Sequence, residues 1–267
     1  MRIFEPHIHM VSRVTDDYEA MALAGVRTVL EPAFWLGQPR RHAGTFFDYF
    51  DSLLDYEVRR AAEFGIQHYC ALSVNPKEAN DERLAAEVLA RLPEYLRHER
   101  VLAVGEVGFD AITPAEEKAL RAQVEIAASA NLPLLVHTPH RDKRRGTERT
   151  LEIVKEMGFP PERVLIDHNT EETTPRARAA GCWAGHTVYP RTKLSVERFV
   201  NILDEHGLEG MMVNSSADWG VSDPLNAAKS AREMARRGYR EEEIDRVVWK
   251  NPVAFFSQSG RLQLDGR

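Results

Sequence analysis

Residues 101–137 read VLAVGEVGFDAITPAEEKALRAQVEIAASANLPLLVH and contain one complete strand–helix–strand unit. The run Val101–Val107 is apolar and too short for a helix, which is typical of a parallel strand that is buried on both faces. Thr113 is suited to cap a helix, and a proline and two glutamates follow it, so this pattern predicts a helix over 114–130. A second apolar run, Leu134–His137, comes next. The unit therefore predicts two parallel strands joined by a crossover helix.

The same alternation continues along the chain in both directions. Further apolar runs that predict strands are Ile3–His9, Val26–Glu31, Gln67–Val74, Val164–Asp167, Cys182–Val188 and Gly210–Ser215. Further helical patterns cover 45–64, 147–157, 175–180, 194–206 and 223–237, with a final helix around Glu241–Trp249. Loops are predicted at Gln38–Gly44 and Pro139–Gly146. Eight strands in alternation with helices predict a (β/α)₈ barrel of the TIM type. No Pro-, Gly- or Ser-rich linker divides the chain, so one domain is expected over residues 1–267.

The composition limits the class of protein. Hydrophobic residues make up 43% and charged residues 28% of the 267 residues, which excludes a disordered chain or a disulfide scaffold. No apolar run approaches the roughly 18 residues of a membrane helix, and the start MRIFEPHIHM does not resemble a signal peptide. Cys70 and Cys182 are expected to be reduced core residues, and the expected location is the cytoplasm. The net charge of −6 argues against broad binding to a nucleic-acid backbone.

Residue types that bind metal ions stand at the ends of five predicted strands. In barrels of this kind the active site lies at the C-terminal ends of the strands. His7 and His9 alternate along the first strand, so both imidazoles can face the barrel axis. The remaining candidates end or follow strands four, five, six and eight: Glu106, His137, His168 and Asp218. A lone histidine is more often structural, but the joint pattern favours a metal centre. This donor set suits Zn²⁺ or Mn²⁺, with Co²⁺, Fe²⁺ and Mg²⁺ as alternatives.

The number of candidate ligands favours two ions. A single tetrahedral ion uses fewer than six protein ligands, whereas two ions bridged by Glu106 would use all six. Two neighbouring ions can deprotonate a water and polarise an electrophile. Asp218 is placed to accept a proton as well as to ligate, so Glu106 and Asp218 are the predicted catalytic residues.

Candidate substrate contacts follow the same strands. They are His140, Arg141, Arg144, His186 and Trp219. The basic run 141–145 follows a ligand strand directly and is suited to receive a phosphate or carboxylate, although a solvated face is the alternative. Trp219 is predicted to form a pocket wall or to pack at the rim. The expected partner is a small anionic molecule. Four other histidines are predicted to be solvated: His42, His68, His98 and His206.

Taken together, these motifs resemble the TatD-type hydrolases of the amidohydrolase-like barrel superfamily. The segments EPHIH, AVGEVGFD, LLVHTP, IDH, SSADWG and NPVAFF are similar to the family's motifs, in order and over nearly the whole chain. The resemblance implies a dinuclear site. One ion would be held by His7, His9, Glu106 and Asp218, and the other by Glu106, His137 and His168. It also implies hydrolysis of a phosphoester, often in DNA.

Positions next to the ligands differ from the family's usual pattern. The family usually has other residues where this chain has Thr138-Pro139, Asn169-Thr170 and Trp219-Gly220. Retained ligands with different neighbours predict the same chemistry on a changed substrate, namely a phosphoester or a related small ester, lactone or amide. Three alternatives stay open: a TatD-type deoxyribonuclease, a metal-dependent decarboxylase or isomerase, and a barrel that binds metal without catalysis.

Overall fold

Eight parallel strands form one sheet in the order of the sequence. The computed structural model describes residues 1–189 and 191–264. The strands are β1 Ile3–Glu5, β2 Val26–Pro32, β3 Gln67–Leu72, β4 Val101–Gly108, β5 Leu134–His137, β6 Val164–Ile166, β7 Trp183–Thr187 and β8 Met211–Asn214. Each strand pairs in parallel with the next, which confirms the predicted (β/α)₈ barrel. The predicted domain extends to residue 267, and its last three residues lie outside the described part.

Helices surround the sheet between the strands. They are α1 Thr15–Leu23, α2 Ala43–Asp51, α3 Glu57–Ala62, α4 Glu82–Tyr95, α5 Pro114–Ala130, α6 Lys143–Glu156, α7 Thr174–Ala179, α8 Val196–His206, α9 Asn226–Arg236, α10 Glu241–Asp245 and α11 Asn251–Phe256. One π-helical turn joins α2 to α3 and another joins α10 to α11. No helix in the described ranges has the length and apolar character needed to cross a bilayer.

Backbone hydrogen bonds beyond the strand ends join the two edges of the sheet. Ser216 N donates to His7 O over 2.9 Å, and His9 N donates to Ala217 O over 3.0 Å. On the other side, Ile8 N donates to Leu30 O of β2 over 3.2 Å. His7 and His9 are therefore held on both sides although β1 ends at Glu5, earlier than the apolar run predicted.

Aromatic side chains fill the end of the barrel interior that lies away from the C-terminal ends of the strands. Phe255 and Phe256 of α11 are fully buried and pack with Phe4 of β1, whose ring centroid lies 5.4 Å from that of Phe256. Asn251 fixes the start of α11 by donating to Leu208 O and Met211 O over 2.8 and 2.7 Å. The NPVAFF segment thus has a structural role, and the polar groups collect at the C-terminal ends of the strands.

Three local predictions were wrong. The predicted loop Gln38–Gly44 is shortened because α2 begins at Ala43, and the predicted loop Pro139–Gly146 is shortened because α6 begins at Lys143. Gly146 does not break this helix; a Cβ at this position would lie 2.4 Å from a Pro139 side-chain atom, so the glycine permits close packing. His68 is buried rather than solvated, because Glu31 lies beside it on β2, with His68 Nε2 2.8 Å from Glu31 Oε2. Helices α1 and α4 were not predicted.

Candidate metal centre

Five of the six predicted ligands converge at the C-terminal end of the barrel, and all five are buried. Glu106 Oε1 is central: it lies 3.4 Å from His7 Nε2, 3.3 Å from His137 Nδ1 and 3.2 Å from His168 Nε2. His9 Nε2 lies 3.3 Å from His7 Nε2. Within the described residues, His7, Glu106 and His168 each place one donor atom within 4.8 Å of the others. We call these five side chains the donor cluster.

Asp167 determines which nitrogen of His7 carries the proton. Its Oδ2 lies 2.5 Å from His7 Nδ1. Burial raises the pKa of Asp167, but the interactions with His168 and His7, including hydrogen bonds from both residues, outweigh burial and hold this pKa well below its usual range. An ionised Asp167 accepts a proton from Nδ1, so His7 Nε2 presents a lone pair toward Glu106.

A chain of hydrogen bonds orients His168 in the same way. Asn214 Nδ2 donates to Asp167 Oδ1 over 2.9 Å, and Thr187 Oγ1 donates to Asn214 Oδ1 over 2.8 Å. Because its only proton is used there, the Thr187 hydroxyl accepts from His168 Nδ1, 2.6 Å away. His168 Nε2 therefore also presents a lone pair toward Glu106.

The charges in the donor cluster are those that a cation requires. Burial lowers the pKa of His9 and His168 well below the usual value, so both imidazoles are neutral. Burial alone would raise the pKa of Glu106, but the neighbouring His7 and the contacts with His137 and His168 lower it strongly. An ionised carboxylate thus stands among imidazoles, two of which, those of His9 and His168, are neutral.

The spacing of these donors also fits a metal ion. Nitrogen and oxygen donors bound tetrahedrally to one ion lie about 3.4 Å apart, close to the separations around Glu106 Oε1. In addition, His9 Nδ1 and His137 Nε2 are buried without a hydrogen-bond partner in the described ranges. The residues present therefore fit a divalent metal.

The structure does not bring Asp218 into the donor cluster. One of its carboxylate oxygens accepts hydrogen bonds from Tyr189 Oη over 3.0 Å and from Gly220 N over 2.8 Å. The side chain that β8 directs toward the cluster is Ser216, whose Oγ lies 3.5 Å from His7 Nε2. Ser216 has a φ of 42°, in the left-handed region, so the chain turns here before it reaches Asp218.

A cavity of about 460 Å³ opens beside the donor cluster. Its lining includes Lys77, Asp110, His140 and Arg141. Asp110 Oδ1 lies 4.0 Å from His137 Nε2, so the cavity borders the cluster. A larger groove of about 920 Å³ lies between α5 and α6 and is lined by Arg145, and its lining includes no residue of the donor cluster.

The predicted substrate contacts divide into two groups. Three of them border the site: His140, Arg141 and Trp219. Trp219 is half exposed, and its ring stacks on Phe34. The ring of Phe34 stacks in turn on His9, with a centroid separation of 4.0 Å. His186 lies elsewhere, fully buried against Phe199 of α8. Arg144 is exposed on α6 and pairs with Glu148 over 2.9 Å. The structure thus brings His140, Arg141 and Trp219 to the site and leaves His186 and Arg144 away from it.

Asp167 and Lys193 are among the residues of the site that were not predicted. Asp167 ends an otherwise apolar strand immediately before His168, and a buried carboxylate next to a candidate ligand is a signal that could have identified it. Lys143 belongs to the basic run 141–145, which was predicted as a candidate site for an anion. Lys193 lies in the segment after β7, and no sequence pattern relates its position to the donor cluster.

A (β/α)₈ barrel that carries histidines and a buried glutamate at its strand ends defines the class of metal-dependent hydrolases. The chain belongs to the TatD family, because the family model described as TatD related DNase matches residues 7–257. An uncharacterized metal-dependent hydrolase of Methanocaldococcus jannaschii is 30% identical over 261 residues, which cover 95% of this chain and 99% of that protein. A second uncharacterized metal-dependent hydrolase, from Mycobacterium tuberculosis, is 24% identical over 62% of this chain and 64% of its own length.

Solved structures agree with this assignment. A TatD-like protein of Archaeoglobus fulgidus superimposes with a TM-score of 0.79 at 27% identity, over 95% of this chain and 99% of that one. An organophosphorus hydrolase of Deinococcus radiodurans superimposes with a TM-score of 0.69 over 95% of this chain and 92% of that one. At 17% identity, the second similarity shows the fold alone.

Proposed function

We propose that the chain hydrolyses a small anionic substrate, a phosphoester or a related ester, lactone or amide, at a centre of two divalent ions. The observation that carries the proposal is the position of one Glu106 oxygen within 3.4 Å of donor nitrogens on three imidazoles. A carboxylate so placed can bridge two cations and reduce their repulsion. Family membership supports the hydrolytic class, and the substrate and the number of ions are proposals.

The donor cluster divides into two sets that share Glu106. His7 and His9 would hold one ion with Glu106, and His137 and His168 would hold the other. Divalent ions there, with Zn²⁺ or Mn²⁺ favoured by the donors, would supply a water of lowered pKa and polarise the electrophile. We leave Asp218 out of this ligand set because its carboxylate is engaged by Tyr189 and Gly220.

The chain's own residues prepare the site for this chemistry. Asp167 and Thr187 fix the rings of His7 and His168 by accepting their Nδ1 protons. Phe34 covers the face of His9, which excludes water from that side. The cavity beside His137 gives a substrate access to the cluster from the ends of β4 and β5.

The test combines metal content with a substrate panel. Protein purified without chelator should contain divalent metal, and chelation should abolish hydrolysis of at least one small phosphodiester, phosphomonoester, lactone or amide. Restoring the ion should restore the activity. Activity that survives complete removal of metal would contradict the proposal, as would a metal-loaded protein that hydrolyses none of these classes.

The second candidate is a deoxyribonuclease, which the description of the family model favours. The net charge of −6 disfavours tight binding of a long polyanion. Rapid degradation of single-stranded DNA, with binding that weakens steeply as salt rises, would favour the nuclease. Slow degradation without that salt dependence would favour the small-substrate hydrolase.

A further inference from the structure

Two lysine ammonium groups beside the donor cluster have no ion-pair partner in the described ranges. They belong to Lys193, after β7, and Lys143, the first residue of α6. Of the other cations at the cavity, Lys77 pairs with Asp110 over 2.9 Å, whereas Arg141 is exposed, so that water compensates its charge. Placing an unpaired ammonium in a mostly buried position costs free energy unless an anion compensates it. The two lysines therefore indicate a place for an anion.

Lys193 stands on the side of the cluster that β8 leaves without a carboxylate. Its Nζ lies 3.2 Å from His168 Nδ1 and 3.4 Å from Ser216 Oγ. Its ammonium also lies over the ring of Tyr189, 5.6 Å from the centroid. Three carboxylates act on this charge from a distance, those of Glu106, Asp167 and Asp218, but within the described residues none of them forms an ion pair with Lys193.

Lys143, at the start of α6, contacts the residue that follows β5. Its Nζ lies 3.1 Å from Thr138 Oγ1, directly after the ligand His137. Thr138 Oγ1 in turn donates to Asp167 O over 2.7 Å, and Lys193 contacts the next residue, His168, so both lysines approach the same stretch of chain. Burial, followed by repulsion from the charge of Lys193, lowers the pKa of Lys143 to about 7. An anion between them would relieve this repulsion.

His140 is the neutral neighbour of both lysines. Burial, and then the charges of Lys193, His137 and Lys143, lower its pKa to about 4. A neutral imidazole can donate a hydrogen bond to an anion without needing its own counter-ion. Its ring centroid lies 6.4 Å from that of His137. His140 thus lies beside the candidate ligand His137 and also lines the cavity.

We infer that Lys193 and Lys143 bind the anionic group of the substrate, and that this group is terminal, a phosphate or a carboxylate. Two converging ammonium groups match a dianion or a bidentate carboxylate better than the single charge of an internal phosphodiester. The inference rests on the proposed function, because it names the substrate class of that same site. It assigns substrate recognition to Lys193 and Lys143 rather than to Arg144.

The test is calorimetric titration of the metal-loaded protein with inorganic phosphate. Lys193→Met and Lys143→Met should each weaken phosphate binding by about tenfold, the loss expected for one hydrogen bond to a charged group. Lys193→Arg should retain most of the affinity because it keeps the charge. Lys118→Met is the matched control, since Lys118 pairs with Glu82 on the exposed surface. A parallel titration with acetate separates a phosphate group from a carboxylate group.

Metal content and circular dichroism, measured on each variant, show whether the cluster and the fold are intact. Unchanged phosphate affinity in both methionine variants, at full metal content, would overturn the inference because the ions alone would then hold the anion. Absence of phosphate and acetate binding by the unmodified protein would also overturn it. Turnover is not measured in this experiment, so a failure of the proposed hydrolysis would appear separately in the substrate panel.

Discussion

At the scale of single residues, Glu106 has the central position. It comes from β4, it is almost fully buried, and one of its oxygens contacts three imidazoles. Glu106→Gln removes the negative charge without changing the shape, so two cations would repel each other without compensation. We expect loss of at least one ion and of hydrolytic activity, measured by elemental analysis and by turnover.

The fold of this variant should remain intact, because the core around β4 is apolar and unaffected by the change. Glu125→Gln, on the exposed face of α5, is the control and should keep both metal and activity. A Glu106→Gln protein that binds two ions and turns over normally would refute the bridging role.

Asp218 is the residue for which sequence and structure give different expectations. Its carboxylate accepts hydrogen bonds from Tyr189 and Gly220, so Asp218→Asn should leave the metal content unchanged and alter turnover only moderately. Steady-state kinetics and elemental analysis check this. A large fall in kcat with little change in KM would instead establish Asp218 as the proton acceptor that its position after the eighth strand predicts.

The ligand residues could be predicted from the sequence because strand ends are recognisable and parallel strands meet at one end of the barrel. His7, Glu106 and His168 come together for that reason. Asp218 was included because it follows the eighth strand and because SSADWG resembles the family's motif at that place. The left-handed backbone of Ser216, with a φ of 42°, turns the chain before Asp218, and nothing in the local composition specifies this turn.

At the scale of elements, the spacing between β6 and β7 controls the orientation of His7. A Cβ added at Gly185 in β7 would lie 2.4 Å from Asp167 Oδ1. Gly185→Ala should therefore displace Asp167, weaken metal binding and destabilise the fold by about 1–3 kcal/mol, as overpacking does. Chemical denaturation and metal titration measure the two effects.

Gly44→Ala is the matched control for this substitution. Nothing lies within 4 Å of a Cβ at Gly44, which is in α2, so the stability should stay the same or increase slightly. Equal behaviour of the two alanine variants would show that the contact between β7 and Asp167 does not influence the site.

Helices whose ends are marked by neighbouring capping residues in the sequence were predicted well. The helix over 114–130 agrees with α5 because Thr113 and Glu116 form the capping box that the sequence contains. The start of α6 was not predictable from composition, since Gly146 has the appearance of a loop residue and its role depends on contact with Pro139. Tertiary packing, rather than propensity, decides such a boundary.

At the scale of the whole molecule, buried histidines outside the site make stability depend on pH. Burial lowers the pKa of His186 from 6.5 to about 4. Between these values the unfolded chain binds a proton that the folded protein excludes, so the free energy of unfolding falls as pH decreases from 6.5 to 4. This one group should contribute about 3 kcal/mol to the change.

His186→Gln should reduce this pH dependence whatever its effect on stability at neutral pH. Denaturant unfolding with chelator present, over the same pH range, measures the slope without a contribution from metal binding. An unchanged slope would mean that His186 is protonated in the folded protein, contrary to its burial against Phe199 and its contacts with Thr174 and Met212.

Anomalous X-ray scattering from crystals of protein purified without chelator shows whether the centre holds two metal ions. We expect two anomalous peaks at the absorption edge of a metal such as zinc or manganese, one between His7, His9 and Glu106 and the other between Glu106, His137 and His168. A fully metal-loaded crystal with a single peak that Glu106 does not contact, or with no peak at the donor cluster, would contradict it.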